Sequence, residues 1–165
     1  MLTVDFGVDL DDETELREAD LPARLAACAD ELRDDLHLYG HLHVTGDGVD
    51  LDLEDELVPM VARLCFGAIP GLLARQLVTL DYWAYNGALR LEPGDHQRVR
   101  IAGDGVAAPV EIAVADLARG LYECGARVVA LLTEVGHDAT RIAALADAGG
   151  QARRALADAG LEPLA

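Results

Sequence analysis

Between Leu77 and Val114 apolar residues fall on every second position, and turn signals interrupt them at short intervals, which commits the stretch to antiparallel strands. Val78, Leu80 and Tyr82 lead to Asn86-Gly87, a type I′ hairpin signature; Leu89 and Leu91 lead to Pro93-Gly94-Asp95; Val99 and Ile101 lead to Gly103-Asp104-Gly105; Val110 and Ile112 close the set. The period then changes. From Asp116, a candidate cap, Leu117, Leu121, Cys124, Val128, Leu131, Leu132 and Val135 recur in steps that put one apolar stripe on a long helix.

Upstream, Leu2, Val4 and Phe6 alternate as a short strand, Gly7 to Asp20 reads as an acidic connector, and Leu21, Leu25, Cys28, Leu32 and Leu36 predict a helix over about 21–37. His41 to Thr45 and Val49 to Leu53 alternate around Gly46-Asp47-Gly48, a hairpin. Glu54 to Gln76 reads as one or two helices broken near Gly67 to Gly71. After Gly136, Asp138 caps a helix, and Gly149-Gly150 is expected to separate it from a third helix ending near Gly160. The expected fold is α+β in one domain over 1–165: an antiparallel meander of about four strands plus a hairpin, packed on one face by helices including the long one near 115–135.

A chain of this length can complete an aliphatic core without staples. Cys28, Cys65 and Cys124 are widely spaced among apolar neighbours and read as buried thiols in a reducing cytoplasm of bacterial type. The N-terminus has no cationic and apolar leader pattern, and prolines and arginines interrupt the most apolar stretch, so no membrane segment is expected.

The absences are equally restrictive. The chain has no lysine and no serine, which removes Schiff-base chemistry, the P-loop lysine and serine nucleophiles. No cofactor motif stands out, and a non-enzymatic role is the expectation. With 13 Lys+Arg against 30 Asp+Glu the net charge is −17. Residues 1–60 hold eighteen acids and three arginines, net −15, so the remaining 105 positions carry only −2. Such a field disfavours nucleic acid and anionic membranes and favours a basic protein partner.

Three groups of residues stand out. His41 and His43 project to one face of a strand and meet either Asp50 and Asp52, or Asp52 and Glu54, across the hairpin; two imidazoles facing carboxylates could hold zinc or a similar divalent metal, with His37 or another acid adding a ligand. On the meander, the Asn86-Gly87 turn would set Trp83 opposite Arg90, with Arg98 and Arg100 on the same outer face, an arginine–tryptophan interaction surface. The acidic run containing Asp11, Asp12 and Glu13, continued on a helix by Asp34 and Asp35, could steer a cationic partner. The functional expectation is a small acidic cytoplasmic protein-binding module, most concretely an immunity- or antitoxin-like neutraliser of a basic toxin domain. The alternatives are a metal-binding protein or metal-dependent hydrolase built on His41 and His43, and an oligomeric structural protein whose alanine-rich C-terminal helices bury against a second copy.

Overall fold

In the computed structural model, which describes residues 1–11 and 14–162, the period-two segments assemble into two four-stranded antiparallel sheets. The first has strand order β2-β1-β3-β4, from β1 (Thr3–Asp9), β2 (Glu15–Arg17), β3 (Tyr39–Gly46) and β4 (Val49–Glu56). The second is the expected meander, β5 (Val78–Asp81), β6 (Ala88–Pro93), β7 (Arg98–Gly103) and β8 (Val110–Ala113), paired in chain order. The α+β expectation holds. The hairpin, however, belongs to a full four-stranded sheet of its own, because it pairs with β1 and part of the acidic connector pairs with β1 as β2.

Helices fill the space behind the sheets. Helix α1 (Leu21–Asp34) starts with Pro22 in its first turn, where the missing N–H costs nothing. Helix α2 (Leu57–Met60) continues into a π-helical turn (Val61–Gly67), followed by α3 (Ile69–Leu73); Glu54 to Glu56, expected to be helical, remain in β4. Helix α4 (Val114–Val135) buries the stripe read from the sequence, and Gly136 ends it with φ 73°, a left-handed conformation that glycine adopts without a Cβ penalty. It leaves the meander at β8 and runs against β1, so it joins both sheets to one aliphatic core. Burying each of its leucines stabilises the fold by roughly 1.5–3 kcal/mol.

The C-terminal glycines do not break a helix. Helix α5 (Ala139–Asp158) runs through Gly149-Gly150, with the Asp138 carboxylate accepting the Arg141 N–H at its start as anticipated. Gly149 lies against the ring of Phe66, where a Cβ would come within 3.3 Å, and Gly125 of α4 faces the same ring, where a Cβ would approach to 2.7 Å. These glycines make room for an aromatic side chain between two helices. All three cysteines are buried and free, and a hydrogen bond that the Cys65 thiol donates to Cys124, together with burial, pushes Cys65 well above its ordinary value, so it stays protonated. No helix among the described residues is long and apolar enough to cross a membrane.

Candidate functional site

The β3–β4 turn fixes the site. Asp47 and Gly48 both take positive φ, 53° and 81°, the geometry of a two-residue type I′ turn, and this sets His41 opposite Glu54 and His43 opposite Asp52. Asp50 therefore faces Thr45 and lies outside the histidine pair. On the other side, β3 pairs with β1, which puts Asp5 beside His43 and Gly7 beside His41. Because strand side chains alternate, Leu42, Val44, Leu51 and Leu53 enter the core while the polar members share the outer face. That face carries Asp5, Asp9, Glu15, Asp50, Asp52, Glu54 and Glu56, with Arg17 its only arginine among the described residues.

At its centre the two imidazoles stack with ring centroids 5.6 Å apart and planes 3° from parallel. Their Nδ1 atoms share one carboxylate oxygen: Asp52 Oδ1 lies 2.9 Å from His41 and 3.5 Å from His43. Their Nε2 atoms turn toward the other two strands, where His43 meets Glu15 Oε1 at 2.6 Å and His41 meets Asp9 Oδ1 at 3.2 Å. Glu15 reaches His43 by crossing over Gly7, and a Cβ on Gly7 would collide with the Glu15 carboxylate. Desolvation by partial burial acts to lower the His41 value, but the Asp52 hydrogen bond and the charges of Asp52, Asp9 and Glu15 outweigh it and hold the imidazole above its ordinary 6.5.

An open groove continues from this cluster, lined by Asp9, Asp11, Glu15, Asp35, Tyr39, His41 and Glu54. Two of the acids expected to form a lure, Asp11 and Asp35, thus stand beside the histidines. Asp34 does not; it pairs with Arg33 at 2.8 Å. Asp12 and Glu13 fall outside the described residues. His37 lies away from the pair, its Nδ1 3.4 Å from Glu56, so the third donor beside His41 and His43 is Glu15.

The arginine–tryptophan surface is rearranged. Asp81 pairs with Ala88 and Thr79 with Arg90, leaving residues 82–87 as a loop in place of a two-residue turn, and Trp83 does not face Arg90. A buried carboxylate causes this: Asp55, at the end of β4, accepts the backbone N–H groups of Trp83 and Ala84 at 2.8 Å each. The loop of the meander is thereby tied to the acidic sheet, with Trp83 61% exposed. Tyr85 on the same loop lies near enough that desolvation, then the charges of Glu54 and Asp55, push its phenol well above its ordinary value. Arg90, Arg98 and Arg100 remain on the outer face of the meander, paired with Glu92 and Glu111.

Comparison of the chain with protein-family models, with curated proteins and with solved structures finds no match. Asp9, Glu15 and Glu54 are the members of the site that sequence reasoning missed or left as an alternative. Glu54 had a signal in the Asp47-Gly48 turn, whereas Glu15 had none short of knowing that β2 pairs with β1.

Proposed function

We propose that this chain is a non-enzymatic binding module that docks a cationic protein surface on the outer face of the β1–β4 sheet. One observation carries the reading: on one hydrogen-bonded sheet, carboxylates of β1, β2 and β4 face outward around the β3 histidines, against a single arginine among the described residues. Two ordered features support it. Trp83 and Tyr85 are exposed on a loop pinned by Asp55, and Tyr39 lines the acidic groove. Aromatic side chains beside carboxylates suit arginine and lysine, through cation–π contact and charge-assisted hydrogen bonds. The most concrete form of the reading is a cytoplasmic neutraliser of a basic toxin domain, in which charge steering speeds association.

The test is capture from an extract of the source cells, with the eluted proteins identified by mass spectrometry. Strongly basic proteins should be retained by the wild type at about 0.05 M salt, released near 0.5 M, and lost when Glu54→Gln and Asp50→Asn are combined. Retention of only neutral or acidic proteins, or binding indifferent to salt and to those substitutions, would overturn the reading.

A further inference from the structure

The hydrogen-bonding of the two stacked imidazoles raises a problem that no choice of tautomer removes. A neutral imidazole has one N–H donor and one lone pair. His41 and His43 each have carboxylate oxygens against both ring nitrogens: Asp52 on both Nδ1 atoms, Asp9 on His41 Nε2 and Glu15 on His43 Nε2. Whichever nitrogen holds the proton, the neutral ring aims its lone pair at an anion. His43 is 5% exposed, so water does little to relieve that contact. The arrangement is complementary to added positive charge at the rings.

The geometry points to a divalent transition-metal site whose ligands are Glu15, His41 and His43, with Asp52 orienting both rings from behind. One donor atom from each of those three residues lies within 4.8 Å of the other two. Ligands about 2.1 Å from a tetrahedral ion stand roughly 3.4 Å apart, so capture needs side-chain shifts of about an ångström and no change in the sheet. The 2.6 Å contact between Glu15 and His43 would open, and the wider separations would close. Asp52 accepting from Nδ1 leaves the Nε2 lone pairs turned toward β1 and β2, the carboxylate–histidine–metal relay that fixes a ligand's tautomer and orientation.

Gly7 is the second feature that suits an ion. It forms the floor between Glu15 and His41, and any side chain there would occupy the volume the Glu15 carboxylate now crosses. Two imidazoles with a carboxylate select zinc and its neighbours over calcium or magnesium, which prefer all-oxygen shells. The groove beyond Asp9 and Tyr39 leaves the fourth position to water or an incoming donor. This site stands independently of the docking reading, since it needs no partner protein.

Protein purified without a histidine tag, stripped with a chelator and confirmed folded by circular dichroism, should be titrated with Zn²⁺ by calorimetry and with Co²⁺ by visible absorption. One ion per chain is expected, with a dissociation constant of about 1 μM or tighter and a Co²⁺ spectrum of tetrahedral type. Glu15→Gln and His41→Ala should each weaken binding by at least about 10-fold, and Asp52→Asn by about 10- to 100-fold. Asp50→Asn, on the same face but opposite Thr45, should leave affinity unchanged. If His43→Ala fails to fold, His43→Gln and the milder Gly7→Ala take its place, both with reduced affinity. Substoichiometric binding, equal sensitivity to Asp50→Asn, or affinity that survives both Glu15→Gln and His41→Ala would overturn the site. So would imidazole NMR signals that titrate with pH but do not respond to Zn²⁺, because a proton would then be the only charge the cluster takes.

Discussion

On the outer face of the meander, Arg90 and Arg100 meet Glu92 at 3.2 and 3.0 Å and Arg98 stands 3.6 Å from Glu111, whereas on the β1–β4 sheet Asp50, Asp52, Glu54 and Glu56 line one edge strand with no arginine opposite them. The two sheets share antiparallel pairing and an aliphatic inner face. Their outer faces differ in how charge is balanced: the meander neutralises itself, with Glu92 held below the usual carboxylate range by hydrogen bonds from Arg90 and Arg100. The β1–β4 sheet leaves its excess to something else. A large net charge spread evenly would argue only for solubility, whereas an imbalance confined to one of two otherwise similar faces is what the proposed docking of a cationic partner uses.

Asp55 is where that comparison breaks most easily. Its buried carboxylate accepts the N–H groups of Glu56, Trp83 and Ala84, and so joins the acidic sheet to the meander's first loop. Asp55→Ala leaves those donors without a partner in a buried setting and should cost about 2–4 kcal/mol, measured by urea denaturation. The 82–87 loop should also lose amide exchange protection while β6 and β7 keep theirs. A loss below about 1 kcal/mol would mean that the sheets are joined by their apolar core alone.

Trp83→Ala should behave differently. The loop is held through its backbone, and the indole is mostly in solvent, so stability should change by less than about 0.5 kcal/mol. Capture of a basic partner should weaken by about 10-fold or more if this ring is an anchor. Unchanged capture would move the docking surface off the loop and onto the carboxylates alone.

What the sequence made legible, and what it concealed, follows the same division. The meander was readable because each strand finds its partner across a short connection, so period and turn chemistry suffice. The β3–β4 hairpin was readable for the same reason, and Asp47-Gly48 carried its register. Glu15 was not, because β2 is three residues long and lies inside an acidic run whose composition suggests solvent. Its pairing with β1 becomes visible only in three dimensions. Trp83 was misplaced because Asn86-Gly87 favours a tight turn, and a carboxylate 28 residues earlier in the chain overrides that preference by capturing two backbone donors. Gly149-Gly150 reads locally as a helix breaker because intrinsic propensity takes no account of Phe66, whose ring needs the space a side chain at Gly149 would fill.

The finest test of the two faces is a pair of substitutions with opposite signs. Asp50→Asn removes one negative charge from a strand where acids recur on the same side, so in the metal-free protein it should stabilise by about 0.3 kcal/mol as repulsion falls. Glu92→Gln removes the partner of two arginines and should lower the melting temperature slightly. Both effects should shrink in 1 M salt, where the Debye length falls to about 3 Å. Matching signs in low salt would mean that the β1–β4 face is already balanced by contacts among its own groups. Opposite signs would locate the unspent negative charge on the β1–β4 face, and a cationic partner docked there would then cancel the Asp50→Asn gain.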